Sequence, residues 1–245
     1  RERNKTWTKR EDYEPDITIV TALFDGRQTS VPHTVGVYTP SWVDKLYRGI
    51  ARNYKGKFDF ICLTDKNYTF EEPIRNERLS MSVDQYGWLC MVDVYRPDLC
   101  KGQRFTAGLD TIITGSVDDI LNHKTKISLC TDPFQPHLVC NAVTSASPEF
   151  CEEYWKLWEW KKTAWITECQ ITLGGVKAPS EMEVLRTYYN DVGKLDAKFP
   201  YRILSYKKDI MHDRGMLGTS SIVYFHGRPK PHQILHEKWV QRHWR

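Results

Sequence analysis

The sequence contains no Cys-x-x-Cys pair, although it carries seven cysteines, at positions 62, 90, 100, 130, 140, 151 and 169. Their spacing is not that of a tetrahedral zinc site. An odd, scattered set also argues against a disulfide framework. Several of these cysteines lie in apolar runs such as FICLTD and ISLCTD, where the thiol acts as a small hydrophobe. No apolar run approaches the length of a membrane span, and the polar, charged first residues lack the pattern of a signal peptide. These absences set the expectation of a reducing, cytoplasmic location. Charge of one sign is not concentrated either. The net charge of +4 suits an anionic ligand such as a nucleotide diphosphate, whereas nucleic-acid binders usually show a denser basic face. There is no internal repeat, low-complexity tract or linker. The expected organisation is a flexible arm over residues 1–15 and one domain over 16–245.

At 245 residues, the chain is long enough to bury one large core. Its 40% apolar and 27% charged residues are ordinary for a globular domain. Aromatics are abundant, with nine Trp and thirteen Tyr, and such rings line ligand clefts as readily as they fill cores.

Residues 16–24 (DITIVTALF) are a nearly continuous β-branched and apolar run, the pattern of a strand buried on both faces. The run ends at a turn, Asp25-Gly26-Arg27, followed by a loop over 28–39. Thr39-Pro40-Ser41 opens a helix to about Tyr54 with Trp42, Leu46 and Ile50 on one face. Residues 57–64 (KFDFICLT) form a second buried strand ending at Asp65. Strand, helix and strand at this spacing make a βαβ unit, so a mainly parallel sheet is expected. A third strand is expected over 77–83, a short helix over 87–95, a short helix over 117–122, and strands over 126–130 and 138–146. Ser147 and Pro148 have the N-cap and first-turn chemistry of a helix with an aromatic core face at Tyr154, Trp155, Trp158 and Trp165. Gly174-Gly175 reads as a turn. Ser180 and Glu183 are spaced as a capping box for a helix to about Asn190. Final strands are expected over 202–206 and 220–225.

Three stretches carry candidate chemistry. In FTAGLDTIITGSVDDIL (105–121) a short strand runs into Gly108-Leu109-Asp110, a carboxylate where a buried strand turns out to solvent. Asp also favours turns for its own sake, so Asp110 alone decides nothing. FHGRPKPH (225–232) places His226 on a stiff loop beside Gly227, with Lys230 between two prolines as a point charge suited to phosphate. In PSEMEVL (179–185) a helix start brings Glu181 to free backbone N–H groups.

Together with IVTALFDG, FICLTD, GWLCMVDVYRPDL and NAVTSAS, these stretches resemble, in order and spacing over about residues 16–232, GT-A-type glycosyltransferases of the glycogenin and galactinol-synthase (family 8-like) kind. The resemblance implies an α/β fold, a single Rossmann-like GT-A domain with a mixed, mainly parallel central sheet flanked by helices. It implies transfer of a sugar, with retention, from a nucleotide-sugar donor, first of all a UDP-sugar. The acceptor stays open among a glycan, a small molecule and nucleic acid. Mn²⁺ (or Mg²⁺) would sit on the donor diphosphate as a Lewis acid, held by Asp110, as second acid of an Asp-x-Asp motif, and by His226. Lys230 and the Gly227 backbone would hold the diphosphate, with Gly108 and Leu109 in the same motif. Thr21, Ala22 and Asp65 would lie near the nucleoside, and Asn141 and Glu181 would be the catalytic pair.

The chain departs from the pattern at three places. Gly108 stands where the first acid of Asp-x-Asp is expected, Met91 stands for a lysine, and Glu181-Met182 stands for Asp-Gln. Two alternatives follow: an impaired domain that binds nucleotide or a partner, and a nucleic-acid-modifying transferase. The latter would use Lys5, Lys9, Arg10, Lys238, Arg242 and Arg245 on phosphates.

Overall fold

The first strand is buried because its β-branched run packs on both faces. A computed structural model describes residues 14–25, 37–173 and 175–245 of the chain. The expected arm up to residue 13, the Gly26-Arg27 turn, most of the following loop, and Gly174 lie outside the described residues. Strand β1 (Ile17–Leu23) is buried except at Ala22. Helix α1 (Pro40–Asn53) lays Trp42, Val43, Leu46 and Ile50 into the core. It returns the chain to β2 (Phe58–Thr64), which pairs with β1 in parallel. This is the expected βαβ unit.

Next come β3 (Arg75–Arg78), α2 (Val83–Tyr86) and a 3₁₀ run over Gly87–Tyr95. The strand expected over 77–83 therefore starts and ends earlier. Asp93 accepts hydrogen bonds from the backbone N–H of Ser80 and from its hydroxyl at 2.7 Å, drawing the chain off the sheet edge. Then follow β4 (Arg104–Ala107), β5 (Thr111–Ile113), α3 (Asp118–Leu121), β6 (Ile127–Thr131) and β7 (Val139–Ala146). Helix α4 (Pro148–Glu168) is capped as its sequence predicts, with Ser147 Oγ accepting from Phe150 N at 3.1 Å. Its Tyr154, Trp158 and Trp165 are buried in the core.

A hairpin missed in the sequence, β8 (Gln170–Leu173) and β9 (Val176–Pro179), leads into α5 (Glu181–Tyr189). The capping box does not form. Ser180 makes no side-chain cap, and Glu183 instead pairs with Arg186 at 2.6 Å, a charge-assisted bond that outcompetes a cap. The chain closes with β10 (Gly193–Lys194), α6 (Leu195–Lys198), β11 (Ile203–Ser205), β12 (Ile222–Tyr224) and α7 (Lys238–His243).

The central sheet has the order β10-β6-β7-β4-β1-β2-β3. It is parallel from β4 to β3 and antiparallel on both sides of β7. A small sheet, β11-β12-β5, adjoins it. Two apolar layers flank the central sheet, one including Trp42, Leu46, Phe105 and Val223, the other Leu89, Tyr154, Trp165 and Leu185. The fold is thus the expected α/β domain with a mixed, mainly parallel sheet. All seven cysteines are free, and all but Cys100 are buried, which bears out their reading as small hydrophobes. Among the described residues no helix is long and apolar enough to cross a membrane.

Candidate active site

Register brings the candidate stretches together. Strands β1, β2, β3 and β4 run in parallel, so Asp25, Asp65, Arg78 and the 108–111 turn all leave the sheet at one edge. A cleft of about 530 Å³ opens there, lined by Asp25, Asp65, Lys66, Arg78, Ser80 and Asp84 among others. Asp65 ties the cleft's floor: it accepts from the Asp25 backbone N–H at 3.1 Å and from the Tyr68 hydroxyl at 3.2 Å.

The last strand delivers the second stretch. Tyr224 pairs with Thr111 across β12 and β5, so residues 225–230 leave the small sheet beside the Gly108-Leu109-Asp110 turn. That turn is closed by Thr111 N donating to Gly108 O at 3.1 Å and tied to β7 by Gly108 N donating to Ala142 O at 3.3 Å. Leu109 points into the core. The Asp110 side chain accepts a hydrogen bond from the Tyr38 hydroxyl at 3.2 Å and forms an ion pair with the Lys230 ammonium. Both charged side chains are largely buried, at 12% and 14% exposure. The ammonium also lies 5.7 Å from the Tyr38 ring centre, within cation–π range. Burial first, then the charge of Asp110, hold the Tyr38 phenol well above its usual range, so it stays a donor.

His226 Nε2 is 2.8 Å from Ser205 Oγ, and Phe134 sets its edge on the imidazole at 4.8 Å between centroids. Burial and then the charge of Lys207 push this imidazole below its ordinary range, while Asp132 and Asp110 pull it back. Gly227 adopts φ +62, the left-handed region that only glycine enters without strain. A Cβ at Gly227 would stand 3.1 Å from Lys207 Nζ, so that ammonium lies on the bare face of the glycine.

Asn141 and Glu181 do meet. Asn141 Nδ2 donates to Glu181 Oε2 at 2.5 Å. Glu181 is only 1% exposed, and burial raises its carboxyl from 4.5 to about 7 against the effect of the Asn141 hydrogen bond. Asn141 is half-buried. Thr21 is buried and spends its hydroxyl on Ala107 O at 2.8 Å, joining β1 to β4, while Ala22 is half-buried.

Of the residues expected to hold Mn²⁺ (or Mg²⁺), Asp110 is engaged by Lys230 and His226 Nε2 by Ser205. Among the described residues no three His, Cys, Asp or Glu side chains gather in a way that fits a metal ion. The donor set present does not fit the ion. Sequence reasoning missed Tyr38, Lys207, Ser205 and Phe134. Tyr38 and Lys207 stand in no motif, and only the exits of β11 and β12 bring Lys207 to Gly227. Of the basic residues considered for nucleic acid, Lys5, Lys9 and Arg10 lie outside the described residues, and Lys238 and Arg242 are exposed on α7.

No protein-family model matches this chain, and no curated protein sequence does. Solved structures do match. A glycosyltransferase, GlyE of Streptococcus pneumoniae TIGR4, aligns with a TM-score of 0.62 at 12% identity, covering 91% of this chain and 59% of its own. The chain therefore spans less than two thirds of GlyE. The galactosyltransferase LgtC, in complex with donor and acceptor sugar analogues, aligns with a TM-score of 0.57 at 10% identity over 92% of this chain and 93% of its own. The bifunctional glycosyltransferase WbbM aligns with a TM-score of 0.59 at 9% identity over 98% of this chain and 53% of its own. The order of strands, the mixed sheet and these likenesses agree: the chain has the GT-A-type fold of these glycosyltransferases.

Proposed function

We propose that this chain is a glycosyltransferase that moves a sugar from a nucleotide-sugar donor, first of all a UDP-sugar, to a hydroxyl acceptor. The observation that carries the reading is the meeting of Asp110 with Lys230, 120 positions apart, at the same end of the parallel strands as the cleft. Ligands of open α/β sheets bind at that edge. The nucleoside would lie in the cleft near Ala22 and Asp65, with Arg78 and Lys66 at its rim. The diphosphate would lie against Lys230, Lys207 and the Gly227 N–H, where positive charge and a donor converge.

In the transfer, the bond from the sugar's anomeric carbon to the diphosphate oxygen breaks and a bond to the acceptor oxygen forms. The acceptor's proton leaves to the departing diphosphate or to solvent. Negative charge grows on the diphosphate as it leaves, and cations fixed in a half-buried site stabilise it without reorganising. Asn141 would be the member of the pair that meets the sugar, and Glu181, too buried to touch substrate and bonded to the Asn141 amide, would act as a positioning residue behind it. Retention of the anomeric configuration is what the motif resemblance implies.

The reading is tested by incubating the protein with a panel of UDP- and GDP-sugars, with EDTA or with Mn²⁺, and following nucleotide release and thermal shift. Release from at least one donor, lost in Asn141→Ala with the fold intact by circular dichroism, is the expected result. No shift and no release with any donor under either condition would sink it.

A further inference from the structure

We propose that this site binds a diphosphate without a divalent ion, the Lys230 ammonium standing on Asp110 where such an ion would sit and Lys207 supplying the second positive charge. The inference rests on the donor reading only for what is attached to the diphosphate.

The first observation is the ion pair itself. Lys230 is fixed on three sides, by the Asp110 carboxylate, by the Tyr38 ring at 5.7 Å, and by its place between Pro229 and Pro231. A lysine placed so is a preset point charge, and little side-chain freedom is left to lose when an anion binds.

The second observation is at Gly108. A Cβ there would lie 3.0 Å from Asp110 Oδ1, tighter than ordinary contact, so the Asp110 carboxylate already occupies the space a side chain at 108 would need. A pair of carboxylates balances a divalent cation; the single carboxylate left here balances one ammonium. The charge of the cation and the charge of its counter-ion match as they stand.

The third observation is Lys207. Its ammonium lies on the open face of Gly227, and among the described residues it has no carboxylate partner. Gly227 directly follows His226 and precedes the loop that carries Lys230, so Lys207 meets the chain between the two ends of that loop. Lys230 balanced by Asp110, the free charge of Lys207 and the backbone N–H of a left-handed glycine make an anion cradle with one net positive charge. Lysines hold phosphate oxygens as point charges, with no ligand geometry to satisfy.

The probe is inorganic pyrophosphate, titrated calorimetrically into the full chain in EDTA and again with Mn²⁺ present. Binding in EDTA is expected. Lys230→Met and Lys207→Met should each weaken it by about tenfold or more, the loss expected for a charged hydrogen bond. Asp110→Asn should keep or tighten it, because the carboxylate competes with the anion for Lys230. Circular dichroism checks that each variant is folded; if Lys230→Met fails to fold, Lys207→Met and the comparison of EDTA with Mn²⁺ on the unaltered protein still decide. Binding that needs Mn²⁺ and is abolished by Asp110→Asn overturns the proposal, as does undetectable binding in EDTA or binding indifferent to both lysines. Pyrophosphate bound in EDTA by a protein that releases nucleotide from no donor would sink the donor reading and leave this one standing. Donor turnover only with Mn²⁺ would do the reverse.

Discussion

Replacing Glu181 with Gln should stabilise the protein, and by an amount that depends on pH. In the folded chain the carboxyl sits at about 7 instead of 4.5 because burial penalises its charged form. Between those two values the folded chain holds a proton that the unfolded chain has released. Stability linked to this group is therefore full below about 4.5, falls as pH rises, and levels off above about 7. At about 1.36 kcal/mol per pH unit, the change across the window is about 3 kcal/mol. The group is 1% exposed, so solvent screening takes little from that figure. Gln keeps an oxygen to accept from Asn141 and carries no charge to bury. Urea denaturation of both proteins at pH 5 and pH 8 measures the effect, and titrations elsewhere in the chain cancel in the difference. The variant should gain on the parent by roughly 2.5 kcal/mol between the two pH values. A gap that does not change with pH would refute the assignment of a buried, proton-holding carboxyl.

Other substitutions read the packing. Gly115→Ala places a Cβ 2.7 Å from the Ser220 carbonyl oxygen, a backbone atom held in place by β12, and should cost about 1–3 kcal/mol in denaturant unfolding; a neutral result would mean that strand moves freely. Trp165→Ala empties a wholly buried site among Tyr154, Trp158 and Tyr188 and should cost about 3–5 kcal/mol; a loss under 1 kcal/mol would mean the aromatic layer closes around the gap. Gly108→Asp should push the Asp110 carboxylate off Lys230 and create a Mn²⁺ site, detected as loss of the free-ion signal in electron paramagnetic resonance; an unchanged signal would show that a second acid at 108 is not what the site lacks.

The centre of the sheet could be read because the parallel strands β1 and β2 are nearly continuous apolar runs buried on both faces. Residues 17–23 and 58–64 are such runs, and Ser147-Pro148 starts its helix with chemistry that works locally. Where the reading failed, a distant polar group decided. Strand β3 ends early because Asp93, 13 positions on, captures Ser80. The capping box at Ser180 fails because Arg186 takes Glu183 and is itself bound to Asp132, 54 positions away. The candidate site divides the same way. Asp110, His226 and Gly227 stood out through their motif resemblance, and Lys230 through its place between two prolines. Tyr38 and Lys207 did not, since what matters about them is which charge they lie beside.

Gly108 and Lys230 account for each other. An Asp-x-Asp pair without its metal would leave two carboxylates repelling each other in a half-buried turn, and a lone lysine could neutralise only one of them. With Gly at 108 the repulsion is gone, the remaining carboxylate leans into the vacant space, and its oxygen meets an ammonium delivered by a loop with two prolines. Each of the two residues is an anomaly without the other: a buried ammonium costs several kcal/mol unless paired, and so does a buried carboxylate. Paired, they form a neutral unit that holds the 108–111 turn against the 225–230 loop before any ligand arrives. An incoming diphosphate then has only to compete for one side of Lys230, and Asp110 sets how hard that competition is.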